Sequence, residues 1–132
     1  MARLDGGSSE TIVSQPAFEV GDVLWADLPQ RHPHGHEQAG RRPVVVVAVP
    51  ETIQPIPYRL LVVVPVTRTR LKGPLFPTIP AGAGGLPSES TALTNQVLSL
   101  DAVRLVGRLG RLSPEEYKDI EGAFRLLFSK RA

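Results

Sequence analysis

Residues 35–47 read GHEQAGRRPVVVV, Gly35 to Val47. The second half is a run of β-formers, and consecutive apolar positions in a strand mean that both of its faces are buried. The first half packs a histidine, a carboxylate, an amide, a glycine and two arginines directly before that strand. Polar groups in this position are either a solvated connector or a set of reactive side chains held over a rigid sheet. The strand is expected over Arg42–Val49, after a loop at Pro29–Gly40.

Upstream, Glu19–Asp27 (EVGDVLWAD) alternates from Val20 onward and reads as a first strand. Downstream, Arg59–Val66 (RLLVVVPV) reads as a third, buried strand, in which Pro65 argues for an end, an edge or a bulge. Leu75–Pro80 reads as a short edge strand broken by Pro77 and Pro80, and Ala81–Gly85 as a tight turn. Ser90–Leu93 and Val97–Leu100 are further short strands, and Val103–Leu112 is a bent one. Ser113-Pro114-Glu115-Glu116 supplies an N-cap, a proline at the first helical position and a capping-box glutamate. Tyr117, Ile120, Phe124 and Leu127 then recur on one helical face, and Lys130 and Arg131 suit the helix end. The expected fold is α+β and mainly β: a small antiparallel barrel or compact sheet with a C-terminal helix. Residues 1–16 are small, polar and aperiodic and read as a disordered arm, leaving residues 17–132 as one domain.

The chain of 132 residues suits a single core. With Cys at 0 there is no disulfide framework or thiolate metal site, which fits a reducing cytoplasm. No apolar run approaches the roughly 20 residues that span a bilayer, so no membrane partner is expected. Net charge is +2 with a pI of about 9.4, and the arginines cluster. Arg41 and Arg42 lie in one loop, with Arg68, Arg70 and Lys72 in another. Brought together, such loops make a phosphate-binding surface.

Arginine offers a planar, permanently charged pair of donors to two phosphate oxygens, as a transition state of RNA cleavage requires. Arg42, at the junction of loop and strand, is the candidate, although an ordinary ion pair with Glu37 or Asp27 fits the same spacing. Glu37 suits a base or an orienting partner, or a plain loop salt bridge. Thr67 caps the third strand and suits a phosphate contact. His32, His34 and His36 form an HPHGH run; Pro33 and Gly35 make it a poor tetrahedral scaffold, so no metal is assigned. His36 better suits proton transfer, since imidazole titrates near neutrality. The AGAGG turn neither follows a convincing strand nor opens a helix, so no dinucleotide or other cofactor is assigned. Trp25 reads as core or interface rather than as a base-stacking platform.

Taken in order, Gly21–Leu28 (GDVLWADL), Glu37–Val44 (EQAGRRPV), Val64–Thr67 (VPVT), Pro80–Gly82 with Gly85-Leu86, Ser90–Leu93, Gln96-Val97 and Gly110–Glu116 (GRLSPEE) resemble the MazF/PemK family of toxins. The resemblance spans about residues 19–128. It implies an SH3-like barrel acting as a homodimer, an endoribonuclease of a type II toxin–antitoxin pair. Such an enzyme cuts single-stranded RNA by 2′-hydroxyl attack, without metal, leaving a 2′,3′-cyclic phosphate and a 5′-hydroxyl. A MazE-like antitoxin would block the RNA groove. By motif, the family's arginine falls on Arg42, its threonine on Thr67, its loop glutamate on Glu37 and its downstream amide on Gln96. Arg41, Arg68, Arg70, Lys72, Gln96 and His36 are then the RNA-binding candidates. Gln30–Gly35 departs from the family pattern. The same fold also serves CcdB toxins, which poison gyrase by protein contact. That alternative expects a gyrase-binding tail at the chain end, typically with an aromatic residue, whereas this chain ends Phe128-Ser129-Lys130-Arg131-Ala132 with its only tryptophan near the start, and it carries Arg42 and Thr67. A catalytically silent RNA-binding barrel is the third reading.

Overall fold

The computed structural model of the protein describes residues 17–130; the expected arm over residues 1–16, and Arg131, lie outside the described residues. Among the described residues seven strands and one α-helix follow in order: β1 (Asp22–Leu28), β2 (Gly40–Ala48), β3 (Leu60–Thr67), β4 (Thr78–Ile79), β5 (Ser90–Ala92), β6 (Leu98–Asp101), β7 (Leu105–Arg111) and α1 (Pro114–Leu127). The sheet runs β4-β5-β3-β2-β1-β7, with β6 also on β3, and every pairing is antiparallel. It is a curled, mostly-β half-barrel with one C-terminal helix.

The valine run explains the curl. Val45 packs with Val23, Val64, Val66, Ile79 and the helix residue Ile120 on one face. Val44 and Val46 pack with Leu24, Ala26, Leu61, Val63 and Leu100 on the other. All three valines are fully buried, so β2 is the buried strand that the sequence implied, and the sheet order sets it between β3 and β1.

Strand β3 changes partner along its length. Leu60–Val63 pair with β6 and Val66-Thr67 with β5. Pro65 sits at the changeover, where its carbonyl accepts from the Leu93 N–H at 2.9 Å. Its N–H would face that same side, not β2, so the missing donor removes no β2 ladder bond. The expected disturbance at Pro65 is thus a partner switch inside the strand rather than its end.

Two devices hold the far side. The turn Ala83–Gly85 leans on β7 so closely that a Cβ on Gly110 would lie 2.8 Å from the Gly84 carbonyl. The wholly buried Asp22 carboxylate accepts from Arg111 Nε at 2.6 Å, from Arg108 at 3.1 Å and from the Glu19 N–H at 2.9 Å. Helix α1 begins as expected: Ser113 Oγ accepts from the Glu116 N–H, and Glu116 Oε1 accepts from the Ser113 N–H. It buries Ile120 and also Ala123. The helix ends at Leu127, so Arg125 is the basic residue of its last turn and Lys130 lies beyond it.

Burial pushes the Asp22 pKa up, but the bonds from Arg111, Glu19 and Arg108 outweigh it and hold the carboxyl below the ordinary carboxylate value. Such a group stabilises the fold in full above the unfolded-state pKa near ~4, and that contribution is lost as pH falls through the lower folded value. Asp22→Asn is therefore expected to cost about 2 kcal/mol at neutral pH. Melting curves from pH 7 to pH 3 should show wild type and variant converging at the acid end. A constant gap across that range would contradict the assignment.

Candidate active site

The register of β1, β2 and β3 gathers the polar residues at one end of the sheet. Ala26 pairs with Arg42, Asp27 with Arg41 and Trp25 with Pro43. Between β2 and β3, Val44 pairs with Pro65; two residues further along that register, Arg42 stands opposite Thr67. An open cavity of about 370 Å³ lies there, lined by Trp25, Arg41, Arg42, Thr67 and Arg68, with Leu86 and Pro87 walling it. Residues 25 to 68 in sequence thus meet in one depression, because the β2–β3 ladder stops at Val44 and Pro65 while β2 runs on beside β1 to Gly40.

The cations in it are not equivalent. Arg41 gives its Nε to Asp27 Oδ1 at 2.9 Å and a second bond to Oδ2 at 3.3 Å. That hydrogen bond holds the Asp27 carboxyl below its ordinary range and raises Arg41. Arg42 donates only its Nε, to the Ala39 carbonyl at 3.3 Å. Among the described residues neither Arg42 nor Arg68 pairs with a carboxylate. The alternative ion pairs of Arg42 with Glu37 or Asp27 are therefore not the ones formed: Asp27 holds Arg41, and Glu37 lies 4.0 Å from Arg31. Thr67 Oγ1 accepts from the Thr69 N–H at 3.1 Å. Its hydroxyl proton remains available to an incoming anion.

The other candidates lie elsewhere. Glu37 and Gln96 share a neighbouring cavity of about 200 Å³ with Arg31 and Gln38. There Gln96 Oε1 accepts from the Gln38 N–H at 2.9 Å, tying the loop over residues 29–39 to the turn Thr94–Gln96. Arg70 and Lys72 line a third groove of about 1010 Å³ against α1, where Arg70 pairs with Glu89 at 2.6 Å. The second basic loop is therefore divided, with Arg68 on the Arg42 side and Arg70 and Lys72 on the helix side. His32, His34 and His36 are exposed, and His34 Nδ1 lies 3.3 Å from Gln30 Nε2. Among the described residues no three His, Asp or Glu side chains gather as metal ligands. Also among the described residues, no helix is long and apolar enough to cross a membrane.

Trp25 was the member that sequence reasoning set aside. Its place in the alternation, two after Val23, pointed to the core. The β1–β2 ladder runs on past Trp25 to Leu28, but the core on the Val23 face does not include Trp25, so it lines the cavity instead. The signal was its nearness to the strand end at Leu28, beside the polar Asp27.

The family model of PemK-like, MazF-like toxins of type II toxin–antitoxin systems matches residues 19–128. Among solved structures, MazF (form I) from Deinococcus radiodurans is 25% identical, with a TM-score of 0.66 over 86% of this chain and 97% of that one. An endoribonuclease in complex with its cognate antitoxin from a mycobacterial species is 20% identical, with a TM-score of 0.65 over 87% of this chain and all of that one (100%). The MazE–MazF complex (form II) of D. radiodurans is 20% identical, with a TM-score of 0.64 over 89% and 100% of the two chains. The second and third bear on the fold, which they share. The match over residues 19–128, on a chain folded in this way, places the protein in the family: it is a member of the PemK-like, MazF-like toxins of type II toxin–antitoxin systems, a family of endoribonucleases.

Proposed function

We propose that this chain is a sequence-selective endoribonuclease toxin that cuts single-stranded RNA without a metal. The carrying observation is the single cavity in which the unpaired Arg42 and Arg68 stand beside the Thr67 hydroxyl. A tightly curled sheet that leaves permanent cations without carboxylates is suited to an anion, and a phosphodiester is the anion the family uses. In the reaction the 2′-oxygen bonds to phosphorus as the bond to the 5′-oxygen breaks. The 2′-hydroxyl proton passes to a base and the 5′-oxygen gains one. The products are a 2′,3′-cyclic phosphate and a 5′-hydroxyl.

Arg42 supplies fixed donors to the phosphorane-like transition state. Thr67 donates to a non-bridging oxygen. Glu37, the carboxylate of the loop over residues 29–39, stands near Arg31 rather than on Arg42 and is assigned to accept the 2′ proton. Arg41 and Arg68 hold neighbouring phosphates, with Arg70 and Lys72 along the outgoing strand, and Gln96 and His36 on the loop side. The working unit is a cytoplasmic homodimer with RNA in a groove between the copies, and a cognate MazE-like antitoxin silences it by covering the same cavity.

The test is incubation of the purified protein with a long single-stranded RNA in excess EDTA, followed by end analysis. Fragments should accept a labelled phosphate at their 5′ ends without prior dephosphorylation and carry a cyclic 3′ end. Dependence on added zinc or magnesium, or 5′-phosphate ends, would contradict the proposal. Intact RNA under every condition would move the weight to gyrase inhibition or to silent RNA binding. Thr67→Ala is expected to slow single-turnover cleavage about 10-fold, the worth of one donor, with Thr67→Ser close to wild type; equal rates for Thr67→Ala and wild type would remove Thr67 from the site.

A further inference from the structure

Trp25 is partly buried, yet it lines the same cavity as Arg42 and Thr67. Its cross-strand neighbours are Pro43 on one side and Gly107 on the other. Gly107 presents no side chain, and a Cβ there would stand 3.9 Å from Trp25 Cδ1. The indole thus lies between a proline and a bare patch of strand. Among the described residues its ring N–H donates to no protein group, nor is it buried without a partner. Leu86 and Pro87 add apolar surface, and beside it stand Arg42 and Arg68, which pair with no carboxylate among the described residues. A flat apolar surface with an open donor, set next to unpaired cations, matches one repeat unit of a nucleic acid: a base beside its phosphate.

We propose that the Trp25 indole stacks the nucleobase adjoining the scissile phosphate, so that Trp25 is a substrate-positioning residue. This rests on the ribonuclease reading of the cavity and adds to it. Base–aromatic stacking tolerates any base, because every base has a π-face. Trp25 therefore supplies affinity and ribose placement, holding the 2′-hydroxyl over the phosphate that Arg42 grips, and leaves motif choice to the loops. The rim favours RNA over an acidic protein segment as the indole's occupant: a carboxylate peptide would satisfy the arginines but leaves the ring face without an aromatic plane.

The chain carries one tryptophan, so its emission reports on this position alone. A short 2′-O-methyl RNA of mixed sequence, which cannot be cut, is titrated into the full-length protein. Anisotropy of an end-labelled oligomer gives binding, and Trp25 emission is followed with the same oligomer unlabelled. Emission should fall with the midpoint of the anisotropy curve. An abasic ribose-phosphate oligomer should bind at least about 5-fold more weakly, since it lacks the stacked base along with the others, and leave emission unchanged. In cleavage assays Trp25→Leu should raise KM by a similar factor with a smaller effect on kcat, and Trp25→Phe should restore most of the loss. Binding with unchanged emission, or a folded Trp25→Leu with wild-type KM, would overturn the proposal and leave the ribonuclease reading standing. Emission that responds to an acidic, leucine-rich peptide but not to RNA would assign the ring to a protein partner instead. Neither binding nor cleavage of RNA would overturn both.

Discussion

Replacement of Arg42 by alanine is expected to lower the rate of RNA cleavage by about 100- to 1000-fold, the loss seen when a preorganised transition-state donor is removed. The melting temperature should not move. Arg42 is exposed, and its side chain's one bond among the described residues, from Nε to the Ala39 carbonyl at 3.3 Å, is long. Its charge is bound to no carboxylate, so little of its binding capacity goes to folding. Arg41→Ala provides the contrast. That side chain is already held by Asp27 at 2.9 Å, and its loss should weaken RNA binding modestly, chiefly at low salt. Arg42→Lys should rescue only part of the activity, because an ammonium cannot offer two parallel donors. Single-turnover rates for the three variants, beside their melting curves, check this ordering. An Arg42→Ala enzyme as fast as Arg41→Ala would remove the distinction between them.

Gly85→Ala is expected to be the most damaging single methyl in the fold. Gly85 has φ +78°, and a Cβ there would stand 2.2 Å from the Leu109 carbonyl oxygen. The left-handed backbone alone costs an alanine roughly 1–2 kcal/mol. The backbone clash adds to it, for a total of at least about 3 kcal/mol. At this chain length that is a fall in melting temperature on the order of 10 °C. Gly82→Ala is the control: its φ is +90°, but nothing lies within 4 Å of the added atom, so only the backbone penalty applies. Gly85 also precedes Leu86 and Pro87, which wall the cavity. Any Gly85→Ala protein that folds should therefore cleave RNA more slowly, and the Gly82→Ala protein should not. Equal melting temperatures for the two would show that the turn is not seated on β7.

The strands and the helix were legible where one local rule sufficed. Four consecutive valines can only be a strand buried on both faces, and Ser113 to Glu116 spells a capped helix start. The partner switch at Pro65 was not legible, because which strand lies beside β3 depends on residues 24 to 41 positions away. The AGAGG turn showed glycine but not need: Gly82 and Gly85 look alike in sequence and differ only through the approach of Leu109. The candidate residues could be listed from the sequence, but where each would stand could not. Arg42 and Thr67 meet through the β2–β3 register, whereas Arg68 and Arg70, two residues apart, fall in different grooves. Trp25, read as core or interface, lines the cavity, because alternation says which face a residue takes and not where along the strand the core runs out.

The central claim, metal-free cleavage by the RNA's own 2′-hydroxyl, is tested most directly on one substrate made two ways. Once a cut site has been mapped, an oligoribonucleotide spanning it is compared with the same oligomer carrying a single 2′-deoxy residue 5′ to the scissile phosphate, both in excess EDTA. Cleavage of the first, with the second bound equally well but uncut at that position, is the expected result. Cleavage of both at the same phosphate would show that another nucleophile is used and would contradict the account.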